Sequence, residues 1–221
     1  MNRLRIAVLI SGQGRNLQAI LDAVAAGRIP ADLACVLSNR ADAPGLELAR
    51  RAAVPVEIVS HTDYGDRSAF DRALLAALDR HRAGFVVLAG FMRVLGEEFI
   101  RRYAGRLLNI HPSLLPRHCG LHTHRRALEA GDAEHGASVH FVTQELDGGP
   151  VAIQGRFSVN PEDNERSLAE RTMNEIELKI YPQALAWIAR GELRQQNGGL
   201  YFRDQLLTAP LSLNDLEPEF K

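Results

Sequence analysis

Ile6-Ala7-Val8-Leu9-Ile10 runs directly into Ser11-Gly12-Gln13-Gly14-Arg15-Asn16, and over residues 17–26 apolar side chains return at three- and four-residue intervals. A short apolar run, a glycine-bearing turn and an amphipathic helix open a βαβ unit. The same rhythm continues outward. Residues 33–37, 56–59, 85–89 and 107–110 are short, rich in Val, Ile or Leu, and bounded by Gly, Pro, Ser or Asn, so they are expected to be strands. Helical spacing occupies residues 45–53, 68–82 and 95–103 between them. This alternation predicts an α/β fold, an open, mostly parallel twisted sheet with helices on both faces.

Beyond Ile110 the rhythm changes. Residues 139–142 and 151–157 flank the turn Leu146-Asp147-Gly148-Gly149-Pro150, which suits mixed, partly antiparallel strands in the C-terminal half. A long helix is expected over 165–189, followed by a polar, irregular tail over 191–221 with room for one hairpin. The 221 residues, 46% of them hydrophobic, can bury one sizeable core, and a single domain is expected. With 26 basic against 27 acidic residues, the chain lacks the positive excess that holds a nucleic acid or an anionic membrane. A small-molecule partner follows. Two cysteines, Cys35 and Cys119, make no disulfide framework, and a reducing, cytoplasmic setting is expected. Met1-Asn2-Arg3-Leu4-Arg5 leads into the first strand without resembling a signal peptide, and no run approaches the ~20 apolar residues of a membrane helix.

Ligands of open α/β sheets settle at the carboxyl ends of strands, which directs attention to Ser11, Asn39, Gly90 and Asn109. In the first turn, Gly12 and Gly14 allow sharp bending and the helix start offers free N–H groups to a phosphate. A dinucleotide fingerprint needs a third glycine where Leu17 stands, and an acid after the second strand where Asn39-Arg40 stands. A single phosphate is therefore favoured over NAD, against the alternative of a plain turn with Asn16 as helix cap. At the fifth strand, Asn109 and His111 lie two apart and share a side of the strand. An amide there can hold an oxyanion and an imidazole can move a proton. Asp147 either serves its own turn or fixes the His111 imidazole. Six of the eight histidines fall between His111 and His140, but no HExxH helix or cysteine pair accompanies His122-Thr123-His124, and no metal is expected. Asp132 and Glu134 read as loop residues.

The spelling of Leu108-Asn109-Ile110-His111-Pro112-Ser113-Leu114-Leu115-Pro116, Gly120-Leu121-His122-Thr123-His124 and Leu146-Asp147-Gly148-Gly149-Pro150 closely resembles the folate-dependent formyltransferase family. The resemblance extends to residues 11–17, Leu88-Ala89-Gly90-Phe91-Met92-Arg93 and Ile180-Tyr181-Pro182, nearly the whole chain. It is most similar to members that formylate glycinamide ribonucleotide. The resemblance implies one formyltransferase domain over 1–221, with 1–110 as the phosphate and ribonucleotide half and 111–221 as the catalytic and folate half. It implies Asn109, His111 and Asp147 as the catalytic trio, and Gly14, Arg15 and Asn16 as the phosphate loop. Glu177 would meet the ribose. Arg93, Val94 and Leu95, with Val142 to Asp147 around the pterin, would bind the folate, and Arg67 would take its glutamate tail. Two positions depart from the family pattern: Arg15 stands where relatives often carry Ser, and Cys119 where Pro is common.

The implied reaction moves the formyl group of 10-formyltetrahydrofolate, a co-substrate, to the amine of 5'-phosphoribosylglycinamide, giving N-formylglycinamide ribonucleotide and tetrahydrofolate in de novo purine (IMP) biosynthesis. A monomer or homodimer suits such an enzyme. A formyltetrahydrofolate hydrolase would share the trio but is expected to carry an additional N-terminal domain. A methionyl-tRNA formyltransferase would add a C-terminal domain and basic surface. A non-catalytic nucleotide-binding module is the rival from another class.

Overall fold

A computed structural model describes residues 3–196 and 198–221, and in it the chain divides into two compact units, Met1–Leu108 and Asn109–Lys221. The first unit contains β1 (Leu4–Ile10), α1 (Arg15–Ala25), β2 (Ala31–Ser38), α2 (Gly45–Arg51), β3 (Val56–Ile58), α3 (Arg67–Arg80), β4 (Phe85–Leu88) and α4 (Glu97–Arg102), and β5 (Leu107–His111) begins in it. Its strand order is β3-β2-β1-β4, followed by β5. The β1–β2, β1–β4 and β2–β3 pairs are parallel. Every side chain from Ile6 to Ile10 is fully buried, which is why β1 reads as an unbroken apolar run: a parallel sheet is covered on both faces.

Handedness then places the helices. The crossovers through α1 and α2 step in one direction, from β1 to β2 to β3, whereas those through α3 and α4 step back from β3 to β4 and on to β5. Right-handed crossovers put α1 and α2 on one face and α3 and α4 on the other. The strand order reverses beside β1, which sets a ligand crevice at the carboxyl ends of β1 and β4.

The second unit takes the end of β5 and adds α5 (Thr123–Glu129), β6 (Glu134–Phe141), β7 (Val151–Ser158), α6 (Glu165–Arg171), α7 (Leu178–Ala189), β8 (Leu193–Gln196), β9 (Gly199–Phe202) and β10 (Gln205–Leu206). Here the order is β5-β6-β7, and β6 pairs antiparallel with β7. The α/β class and the mixed orientation in the C-terminal half are as the sequence implied.

Four local expectations are corrected. The helix expected over 165–189 is divided by a π-helical turn, Thr172–Glu177, just ahead of α7 and its internal Pro182. The tail is more ordered than its polar composition suggests, because β8, β9 and β10 form an antiparallel sheet beside the fully buried Trp187, whose ring meets Phe202 edge-on. The helix α5 was not expected at all, its short amphipathic pattern being masked by histidines and arginines. Glu134 is the first residue of β6, not a loop residue; Asp132 does lie in a loop.

Candidate active site

In the first unit, the end of β1 is fastened before the chain turns. Ser11 N–H donates to the Gly90 carbonyl at 3.1 Å. Its hydroxyl donates to Asn39 Oδ1 at 2.6 Å and accepts from the Met92 N–H at 2.8 Å. Three of the strand ends singled out in the sequence thus meet through one serine. Gly14 then occupies the left-handed region at φ +78°, and a Cβ there would lie 2.8 Å from Gly45 Cα, so the turn requires glycine. The helix α1 starts at Arg15, and its N-terminal position is Gly14, with no side-chain cap. Asn16 is therefore inside the first turn and is not the cap. Arg15 is exposed and Asn16 is buried beside it.

The folate candidates are divided between the units. Arg67 is the exposed first residue of α3, and α4 begins only at Glu97, so Arg93, Val94 and Leu95 belong to an irregular turn after β4 and not to the helix expected from residue 95. Val94 is 59% exposed, whereas Leu95 is buried. Val142 follows the end of β6 in the second unit, and Asp147 lies in the β6–β7 connection.

The second unit brings the trio together. Asp147 Oδ2 lies 3.5 Å from His111 Nδ1 and accepts from the Gly120 N–H at 2.8 Å. Its other oxygen faces His140 Nε2 at 3.6 Å. Asp147 holds a left-handed backbone, φ +51°, a conformation that Asp tolerates better than most side chains but that still stores strain. The other ring nitrogen of His111, Nε2, donates to the His118 carbonyl at 3.0 Å. His111 therefore has both a carboxylate and a carbonyl partner, and the loop from 118 to 120 touches both members of the pair.

His140 is the site residue that sequence reasoning missed. Its Nε2 accepts from Asn109 Nδ2 at 3.1 Å, and its Nδ1 donates to the Phe141 carbonyl at 3.2 Å. Burial pushes its pKa down to about 4, against the opposing pull of Asp147 and of the Phe141 carbonyl. A neutral His140 with a free Nε2 lone pair is what the Asn109 amide needs to be held in one orientation. The only signal in the sequence was its place in the histidine-rich stretch.

Three more of the clustered histidines have local partners. His118 Nε2 binds Asp132 at 2.7 Å, and Arg117 reaches the same carboxylate at 3.1 Å. His124 Nδ1 and His135 Nε2 share a hydrogen bond at 2.9 Å. Burial drives His135 to about 4 and lowers His124. Among the described residues, no group of three or more His, Cys, Asp or Glu side chains is arranged to hold a metal ion. Cys35 and Cys119 are both free thiols. Glu177 is buried at the last position of the π-helical turn, a helix irregularity that recurs at functional sites.

Known proteins resemble the chain over most of its length. The chain is 48% identical to the phosphoribosylglycinamide formyltransferase of Escherichia coli (strain K12), over 92% of this chain and 96% of that one. It is 45% identical to the Haemophilus influenzae enzyme of the same name, over 92% and 95%. The solved phosphoribosylglycinamide formyltransferase from Coxiella burnetii superposes with a TM-score of 0.90 at 44% identity, covering 96% of this chain and 99% of its own. The formyl transferase pattern matches residues 4–185. The match over residues 4–185 and this likeness over most of the length make the chain a member of the formyl transferase family.

Proposed function

We propose that the chain is a phosphoribosylglycinamide formyltransferase, moving the formyl group of 10-formyltetrahydrofolate to the amine of 5'-phosphoribosylglycinamide. The observation that carries the reading is the Asp147 carboxylate set between His111 Nδ1 and the Gly120 N–H, with Asn109 oriented by His140. The substrate amine attacks the formyl carbon, giving a tetrahedral species with negative oxygen and positive nitrogen. Asn109 and the His111 Nε2–H donate to that oxygen. Asp147 stabilises positive charge on the His111 ring and assists a water that carries the proton from the attacking amine to the folate nitrogen. The bond from the formyl carbon to that nitrogen then breaks, releasing tetrahydrofolate. No covalent enzyme intermediate is formed. In the state described, the His118 carbonyl occupies His111 Nε2, so the substrate oxygen takes over a proton that the loop now holds.

The remaining roles follow the family. Gly14, Arg15 and Asn16 take the phosphate, with the Arg15 guanidinium replacing a hydroxyl contact, and Glu177 meets the ribose. Arg67, Arg93, Val94, Leu95, Val142 and Asp147 bind the folate. The two units are the halves of one formyltransferase domain. A reducing, cytoplasmic setting is in keeping with the free thiols, and a monomer or homodimer with the family.

The test is tetrahydrofolate formation by the purified chain, run with and without ribonucleotide and with a chelator. Release should require the ribonucleotide and survive chelation. Equal release in its absence would make the protein a hydrolase, and recovery only on adding zinc would remove His111 from its role.

A further inference from the structure

The irregular turn over residues 91–96 is held at both ends by buried side chains. At one end the Ser11 hydroxyl accepts from the Met92 N–H at 2.8 Å. At the other, Asp71 Oδ2, from the second turn of α3, accepts from the Gly96 N–H at 2.7 Å. Phe91 and Leu95 point inward, at 9% and 6% exposure, while Met92 and Val94 stand out at 66% and 59% with Arg93 between them. A pinned turn presenting apolar side chains to solvent is a surface shaped for a ligand.

Asp71 is an expensive way to hold one N–H. The residue is 3% exposed, and its Oδ1 is buried with no hydrogen-bond partner among the described residues. A neutral amide or hydroxyl would accept from Gly96 at lower desolvation cost. Burial raises the carboxyl above its ordinary range, opposed by the Gly96 N–H and by the charge of Arg67, while Glu98 adds to the rise. Gly96 is fitted to this contact: a Cβ there would lie 2.6 Å from Asp71 Oδ2 and 3.9 Å from Arg67 Nε. Arg67 stands one helical turn before Asp71, on the same face of the helix, since residues four apart share a face.

We propose that Asp71 is a positioning residue for the folate co-substrate, acting through Gly96 to fix the turn that carries Arg93, Val94 and Leu95. The inference rests on the folate reading of that turn. Asp71 touches no ligand itself. What its oxygen supplies is the hold on Gly96.

The experiment measures kcat and both KM values for purified full-length Asp71→Ala, Asp71→Asn and Gly96→Ala. Asp71→Ala should raise the folate KM by ~10-fold or more while kcat and the ribonucleotide KM stay within ~2-fold. Asp71→Asn keeps the acceptor for Gly96 and should recover most of the loss, and Gly96→Ala should reproduce the alanine phenotype without adding to it in the double mutant. Losses shared equally by kcat and both KM values, or no change in folate KM, would overturn the proposal. If Asp71→Ala does not fold, Gly96→Ala decides alone by the same folate-specific criterion. Val94→Asp separates the two readings. If it leaves the folate KM unchanged, the folate assignment of the turn fails. If it raises that KM while Asp71→Ala does not, only the role of Asp71 is lost.

Discussion

Acidification from pH 7 to pH 5 should destabilise this protein through His135 by an amount the structure fixes. His135 is 1% exposed on β6, hydrogen-bonded to His124 at 2.9 Å and edge-on to the Phe157 ring. Burial lowers its pKa from 6.5 to about 4, the charges of His124 and His118 push the same way, and Asp132 pulls only weakly back. Because the folded value lies below the unfolded one, the native state binds fewer protons, and stability rises with pH between about 4 and 6.5. At pH 5 the unfolded histidine is almost fully protonated and the native one only about a tenth, a difference worth ~2 kcal/mol relative to pH 7. Urea unfolding at the two pH values measures the total loss. His124 and His140 contribute in the same direction, so the isolating comparison is His135→Gln. That variant should lose ~2 kcal/mol less than the parent between pH 7 and pH 5, whatever its offset at pH 7. An identical loss in parent and variant would mean that His135 is solvated or already protonated in the native state, and the reasoning from burial would fail.

His111→Ala and Asp147→Ala should each cut turnover by ~100-fold or more, with the double mutant little worse than the poorer single one; additive losses would leave the 3.5 Å pair without a joint function. Asn16→Asp should weaken ribonucleotide binding, read by calorimetry, while folate binding is retained, because a negative charge then sits at the helix start meant for phosphate; equal losses for both ligands would indicate a damaged fold. Gly14→Ala should destabilise by ~1–2 kcal/mol or more, since a left-handed backbone is strained for any side chain and Gly45 already fills the space; an unchanged urea midpoint would contradict the close approach.

Much of the fold was legible because its signals are local. The apolar run of β1 names a strand buried on both faces, and alternation with amphipathic stretches implies the parallel order found in the first unit. The glycine turn was equally plain, since a left-handed residue ahead of a helix leaves its mark in the residue type. Boundaries were less so. The π-helical turn at Thr172–Glu177 changes hydrogen-bond partners by one residue, and the tail sheet is built from short runs in which a few apolar residues such as Leu193, Leu200 and Phe202 are scattered among polar ones.

By itself the sequence determined the class of the fold, the turn chemistry at Gly14, and, through its likeness to a family, the names Asn109, His111 and Asp147. Only the tertiary structure decided what those three side chains meet. Asp147 reaches His111 from a connection 36 positions later in the chain, His140 turns out to hold the Asn109 amide, and the His118 carbonyl covers His111 Nε2. Nothing in the sequence singles out Asp71 among the acids of α3, whereas the structure buries it and gives it the Gly96 N–H as partner. The reason is physical: periodicity and turn preference are written in neighbouring residues, whereas hydrogen-bond partnership, desolvation and pKa depend on which distant segments exclude water from the same place.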